Sequence, residues 1–241
     1  MESNVDQTKE MGVFQQVIGI FTAPRETFES LDQKPTWIIP FVIGIIFFLI
    51  MQYFTLDIQV KDQIALLKTK DMSAERFEMA KSQMEGPMKY IILIAGPIVI
   101  PIVWAVFAGL FLMMGNLMIG NVAGVTFKKT FSIVAWTSLI GSLSMILMTF
   151  LIMSKETTNG IAMDLSVILP SLKLGEEQTV IYRLLSKFDL FVIWQIVLWS
   201  IGMSVAYKTT TQKAAMPIVV LWGIWIVISV ALGGVFQNLG M

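Results

Sequence analysis

Five long apolar segments, separated by polar loops, make up most of the chain. Each has roughly 20 residues or more, enough for an α-helix to cross a hydrocarbon core of about 30 Å. None has a Lys, Arg, Asp or Glu in its interior, and none shows the polar face of a helix on a soluble protein. The pattern predicts an all-α membrane protein, a bundle of five transmembrane helices, with spans at about 37–56, 90–114, 131–153, 188–207 and 215–236.

Two short amphipathic helices are predicted before the first span. Pro24 suits the first turn of the second helix, which has Phe28 on its apolar side. Thr36 is placed to cap the first span. We expect the two helices to lie on the membrane surface or to dock a partner protein, and the two roles are compatible. The first helix has one apolar face at the i, i+3, i+4, i+7 spacing, with Gln15 and Gln16 outside it: Phe14, Val17, Ile18 and Phe21.

The two long loops are also predicted to carry short amphipathic helices. In residues 57–89, Ser73 is placed to cap a helix that Gly86 ends. In residues 154–187, a second helix is predicted to begin at Glu176 and Glu177 and to continue toward the fourth span. Both loops are too polar to cross a membrane.

Few polar groups fall inside the spans. The prolines at 97 and 101 predict a kink in the second span, and Gln195 in the fourth must find a hydrogen-bond partner within the bundle. The third span favours a seam of close helix packing, with a path for a polar solute as the alternative. Its small and hydroxyl residues include Ser138, Gly141, Ser142 and Ser144.

Composition removes several kinds of chemistry. The 241 residues include no Cys and no His, so disulfides, thiolate or imidazole metal sites and Cys- or His-based catalysis have no candidate residue. Lys+Arg and Asp+Glu both total 17, so no net charge favours nucleic acid. We expect no enzyme, cofactor, metal or nucleic-acid partner. We also expect a disordered tail at 1–10 and a single membrane domain at 11–238.

Two short loops indicate the orientation, because Lys and Arg are enriched on the cytoplasmic side. Residues 120–130 carry Lys128 and Lys129, and residues 208–214 carry two further lysines, without any acidic residue. Both loops lie on the side of the N-terminus if there are five spans. We therefore expect a multi-pass protein of the cell membrane, with the N-terminus in the cytoplasm and the C-terminus outside.

Short motifs at the ends of the spans are similar to those of a known family. They are residues 21–28 (FTAPRETF), 34–37 (KPTW), 126–131 (TFKKTF) and 189–194 (DLFVIW). Together with five spans and a cytoplasmic N-terminus, this set resembles the bacterial branch of the Yip-one (Ypt/Rab-interacting protein) domain family over about residues 11–236.

The resemblance implies a function in binding other membrane components. Eukaryotic members are five-span Golgi and endoplasmic-reticulum proteins that engage prenylated Rab-type GTPases, and some bacterial relatives accompany efflux-type ABC exporters. We expect a non-catalytic protein that binds the bilayer and another membrane protein, an exporter-type complex or a second copy of itself. A small-solute or lipid permeation protein is the alternative. The residues expected at a partner-binding surface are Pro24, Arg25, Phe28, Lys128, Lys129, Asp189 and Trp194.

The orientation can be measured directly, because a chain without cysteine needs no background removal. A single cysteine at Ser82 should react with a membrane-impermeant thiol reagent on intact cells, whereas one at Thr209 should react only after the cells are opened. The reverse pattern would place the N-terminus outside.

Overall fold

The computed structural model describes residues 11–238, without the side chains of Met88 and of residues 234–238. The predicted disordered tail at 1–10 lies outside the described residues. The described chain is helical, with no strand. Its helices are α1 (Val13–Thr22), α2 (Pro24–Gln33), α3 (Ile38–Lys68), α4 (Ala74–Glu85), α5 (Ile91–Met118), α6 (Phe127–Thr137), α7 (Leu139–Lys155), α8 (Val180–Leu185), α9 (Leu190–Ala206) and α10 (Thr211–Asn238), with 3₁₀ turns at Pro87–Tyr90 and Leu165–Ile168.

Four helical segments are long and apolar enough to cross a membrane, as expected of a multi-pass protein. Three are single helices, α3, α5 and α10, and the other is α6 together with α7. The segment predicted as the fourth span forms α9, an apolar helix of 17 residues that is shorter than these four.

The first span is longer than the apolar pattern suggests. α3 has 31 residues, about 46 Å at 1.5 Å per residue, and it continues past the apolar run to Lys68. The loop predicted at 57–89 is therefore partly helix. No Gly or Pro lies between residues 57 and 68, and charged side chains are compatible with a helix end in water. Ser73 and Gly86 bound α4 as predicted, and the Ser73 hydroxyl accepts a hydrogen bond from Arg76 N–H.

The predicted helix at Glu176 is much shorter in the structure. α8 has only six residues, Val180–Leu185, and it does not continue into α9. Thr179 is extended, with a ψ of 160°, and its hydroxyl accepts a hydrogen bond from Tyr182 N–H. Thr179 is therefore the N-cap, and the helix begins after it and not at Glu176.

A break divides the third span at Ser138. The Ser138 hydroxyl donates to the carbonyl of Ala135 at 2.6 Å, and its N–H is shared between the carbonyls of Val134 and Ala135. Such side-chain bonding competes with the regular helical pattern and bends or ends helices. α6 therefore stops one residue before Ser138, and α7 starts one residue after it.

The described residues form two compact units. The first contains 11–43, Pro101–Ile140 and Gln195–Val220, and the second contains Gly44–Ile100, Gly141–Trp194 and 221–238. In the first unit, every residue from Ser132 to Thr137 of α6 is buried, so α6 forms much of its core. In the second unit, the Phe188 and Trp222 rings meet edge to face.

Glycine allows one close helix contact in the first unit. A Cβ on Gly115 of α5 would lie 2.5 Å from the Tyr207 hydroxyl oxygen, well inside ordinary contact. That hydroxyl lies 2.7 Å from Asn116 Oδ1, to which it donates, and 3.1 Å from the Leu112 carbonyl oxygen. The absence of a side chain at Gly115 therefore lets the Tyr207 ring pack directly against α5, where its hydroxyl reaches Asn116 and Leu112.

Alanine at Gly115 should destabilise the protein, whereas alanine at Gly109 of the same helix should not. Crowding against Tyr207 is expected to cost about 1–3 kcal/mol. A Cβ on Gly109 meets nothing within 4 Å, so Gly109→Ala gains helix propensity of up to about 1 kcal/mol. Thermal unfolding in detergent, followed by circular dichroism, measures both. Equal melting temperatures for the two variants would contradict this packing.

Candidate functional site

The two N-terminal helices fold back on each other as a hairpin in the first unit. The break is set by Pro24, which occupies the first turn of α2 and has no N–H to donate. Gly19 of α1 is buried against the Thr27 side chain, where a Cβ would clash. Gln16 Nε2 donates to Ser30 Oγ at 3.3 Å, so this glutamine faces α2 and is not outside the hairpin as the sequence pattern suggested.

The hairpin is held to the rest of the first unit through α2. Phe28 and Leu31 are buried. A Cβ on Gly202 of α9 would meet both Ile133 of α6 and the Phe28 ring, so the three helices approach closely at this glycine. Phe28 is therefore a core residue that attaches the hairpin, and its ring is not exposed to a partner.

An ion pair joins α2 to the start of α6. Lys129 Nζ lies 2.6 Å from Asp32 Oδ1, and the two side chains are 21% and 22% exposed. Charges removed from water in this way interact more strongly than surface charges, but each is costly if its partner is lost. The predicted site residue Lys129 thus has a structural contact of its own.

The remaining predicted cations are exposed to solvent. Arg25 Nε lies 3.1 Å from Glu29 Oε1, one turn along α2, with side chains 60% and 40% exposed. Lys128 is exposed next to the paired Lys129. Arg25 and Lys128 are therefore accessible charges on an anchored hairpin and its neighbour.

A backbone contact fixes the chain between the hairpin and the first span. The Thr36 carbonyl accepts hydrogen bonds from Ser132 Oγ at 2.7 Å and from the Trp136 indole N–H at 3.0 Å. These two donors are four residues apart and so lie on one face of α6. Thr36 was expected to cap α3 through its hydroxyl, but that hydroxyl is buried without a hydrogen bond. The carbonyl is the group that holds this segment.

Three apolar side chains of α1 are exposed in the described structure. Phe14 is 76% exposed, and Val13 and Ile18 are about half exposed. Gly19 and Ile20 are the buried residues of this helix. α1 therefore packs on its neighbours through Gly19 and Ile20 and leaves Val13, Phe14 and Ile18 uncovered.

The two remaining predicted site residues, Asp189 and Trp194, belong to the second unit. Asp189 Oδ1 accepts the backbone N–H groups of Phe191 at 2.7 Å and Val192 at 3.1 Å, so this side chain caps α9. The backbones of Asp189 and Asp164 also form an isolated antiparallel β-bridge. Trp194 is half-buried one turn into α9. The predicted residues thus divide between the two units.

Buried polar contacts in the second unit were not foreseen. Gln52 of α3 is 1% exposed, and its Oε1 accepts from Gln59 Nε2 at 2.9 Å. Gln59 also donates to Thr55 Oγ1 at 2.8 Å. The i, i+3, i+7 spacing of these three residues is a signal in the sequence, obscured because the apolar run ends at Leu56. Gln195, the expected intramembrane amide, is only half-buried.

A second unforeseen contact holds a loop. The Asp62 carboxylate accepts the hydroxyls of Thr157 and Thr158 at 2.7 to 3.1 Å and the Thr158 N–H at 2.5 Å. This contact attaches the segment after α7 to the end of α3. Within residues 11–238, no three acidic side chains are grouped to hold a metal ion.

These features define an all-helical, multi-pass membrane protein with an anchored N-terminal hairpin. The family model described as the Yip1 domain matches residues 18–233, from within α1 into α10. The chain therefore belongs to the Yip1 domain family. Compared with curated proteins and with solved structures, it has no match.

Loss of Asp32 should detach the hairpin, whereas loss of Glu29 should not. Asp32→Ala leaves the Lys129 ammonium partly buried without a counter-ion, which is expected to cost about 1–3 kcal/mol. Trypsin cleavage after Arg25 of the purified protein should then accelerate. Glu29→Ala removes only an exposed ion pair and should leave the rate unchanged.

A double variant tests whether the pair itself is responsible. Asp32→Ala with Lys129→Met removes both charges and should restore slow cleavage, because no unpaired charge remains. Equal cleavage rates in the wild type and Asp32→Ala would show that the pair does not hold the hairpin.

Proposed function

We propose that this protein is a non-catalytic, five-span protein of the cell membrane whose N-terminal hairpin and neighbouring loop bind and modulate another membrane component. The observation that carries the proposal is the anchored hairpin itself. Its inner side is fixed by Phe28 and the Asp32–Lys129 pair, while Arg25 and Lys128 are exposed. A rigid base with accessible charges suits recognition of a partner.

The fifth span in this proposal is α9. Its 17 residues reach about 25 Å, and 17 is near the lower limit for a membrane helix. With five spans, the hairpin and the lysines at 128, 129, 208 and 213 lie on the same side of the membrane. Because Lys and Arg are enriched in cytoplasmic loops, this side is the cytoplasmic one in our proposal. The C-terminus is then outside.

The uncovered face of α1 supports contact of the hairpin with lipid. Phe14, Val13 and Ile18 would enter the boundary between headgroups and acyl chains, as in other amphipathic helices at membrane surfaces. The hairpin would then present its charged side at the level of the headgroups, where a membrane partner is met.

The partner class rests on family analogy. An efflux-type ABC exporter is the complex we propose it accompanies, with self-association as the other arrangement. Either partner would meet the charged side of the hairpin beside the membrane.

A permeation function is the second candidate, supported by the buried Gln52–Gln59 pair, because amides inside membrane helices often mark solute paths. Several hydroxyls argue against it. Ser138, Thr149 and Ser200 donate to carbonyls three or four residues earlier in their own helices. A cavity beside Phe28 and Gly202 is only about 10 Å³, the volume of about one water-sized probe. These groups serve helix packing better than a solute path.

Surface charges, and not interior polar groups, should determine function. Arg25→Glu with Lys128→Glu should lower the amount of exporter component that co-purifies from gently solubilised membranes by about tenfold, the effect of about 1.4 kcal/mol. Lys213→Glu, a reversal of an exposed lysine on α10, is the matched control and should change little.

The interior variants complete this test. Ser138→Ala with Ser142→Ala, and separately Gln195→Leu, should leave the protein folded and active, because the hydrogen bond of one such polar side chain in a membrane protein contributes about 1 kcal/mol or less. Loss of the cellular phenotype in these well-folded variants, with no effect of the surface reversals, would instead establish the permeation function.

A further inference from the structure

An open groove of about 330 Å³ lies in the second unit between α3, α4 and the start of α5. This volume falls at the lower end of the range of about 300–1,000 Å³ found for small-molecule sites. The lining includes Leu56, Gln59 and Gln63 of α3, Gln83 of α4, and Lys89 and Ile92 around the start of α5. The groove shares no residue with the hairpin site and is not used by the proposed function.

The lining changes from apolar to polar along α3. Leu56 ends the apolar run of this membrane-spanning helix, and Gln63 lies two turns further toward Lys68. Ile92 is in the first turn of α5, another membrane-spanning helix, and is exposed together with Ile91 before it. The apolar end of the groove is therefore continuous with a surface that faces lipid, while the other end offers amides.

Hydrogen-bond donors remain available at the polar end. The side-chain amides of Gln63 and Gln83 form no hydrogen bond with another residue of the described chain. Each amide has two N–H donors. A ligand with several oxygen acceptors would match them.

The charge of the lining favours an anion. Lys89 Nζ lies 3.1 Å from Asp57 Oδ1 and 5.0 Å from the centre of the Tyr90 ring. The Asp57 hydrogen bond raises the pKa of Lys89, so the ammonium remains charged at neutral pH. Asp57 is itself largely exposed to solvent, and an ammonium has three donors. None of the described residues that line the groove is acidic.

We propose that this groove binds one phospholipid, with an acyl chain against Leu56 and Ile92, its phosphate at Lys89 beside that apolar end, and its headgroup oxygens at Gln63 and Gln83. A bilayer lipid can enter sideways from the apolar end without leaving the membrane. Its acyl chain, phosphate and polar headgroup then follow the change from apolar to polar lining along the groove. The bound lipid also stabilises the position of α4 beside α3.

Photolabelling with a lipid probe tests the proposal. The purified protein is reconstituted into vesicles of phosphatidylethanolamine and phosphatidylglycerol that contain a trace of phosphatidylglycerol with a diazirine on one acyl chain. After illumination, mass spectrometry locates the lipid adducts. Adducts are expected on the groove residue Val60, one turn beyond Leu56 on α3, in addition to general labelling of the lipid-facing helices.

Two tryptophan variants distinguish labelling within the groove from labelling of the lipid-facing surface. Ala80 lines the groove, whereas Met79 beside it on α4 is exposed elsewhere. Ala80→Trp should abolish the groove adducts and leave the general labelling unchanged, and Met79→Trp should keep both. Persistence of the groove adducts in Ala80→Trp would overturn the proposal.

A comparison of two lipid probes tests the polar end of the groove in the protein without a tryptophan substitution. A diacylglycerol with the same diazirine chain lacks the phosphate and should label the groove less than the phospholipid does. Gln63→Leu with Gln83→Leu, both at exposed positions that tolerate substitution, should remove this preference. Equal groove labelling by the two probes in the wild type would exclude a phospholipid site. Absence of groove labelling in the wild-type protein would equally overturn the proposal.

Discussion

Water is absent from the hydrocarbon core of a bilayer, so each polar group that enters it must find its hydrogen bonds within the protein. Several hydroxyls of this chain meet the requirement locally, as Ser138, Thr149 and Ser200 donate to carbonyls three or four residues before them. The side-chain amide of Gln52 is instead paired with another side chain, because its Oε1 accepts a hydrogen bond from Gln59 two turns away on α3. The constraint thus makes helices the only structure of the spans and directs their polar side chains inward or along the helix.

The same cost of burying unpaired charge explains how the ends of the helices are organised. Asp32 and Lys129 form a partly buried ion pair. Asp62 accepts hydrogen bonds from the hydroxyls of Thr157 and Thr158, and Asp189 caps α9. Each of these acidic groups fixes a segment outside the apolar spans. The N-terminal hairpin is the segment on which the proposed function depends, because Phe28 and Asp32 attach it to α6 and α9 while Arg25 remains accessible.

Much of the candidate site could be anticipated, but not the roles of its members. The spacing of motifs indicates Pro24, Phe28 and Lys129, and the helix start at Pro24 follows from the chemistry of proline alone. The difference between Lys128 and Lys129 does not follow, because neighbouring residues on a helix point in different directions and only the packing of α2 on α6 decides which one meets Asp32. Phe28 likewise becomes a core residue because Gly202, distant in the chain, leaves space for its ring.

The sequence by itself determined the all-helical membrane class and most helix positions, because burial in lipid requires long apolar runs and local residues set caps such as Ser73. Only the tertiary structure decided that Thr36 acts through its carbonyl and that α3 continues beyond its apolar run. Contacts between residues about 100 positions apart depend on how helices pack, and a hydropathy pattern contains no information about which faces meet.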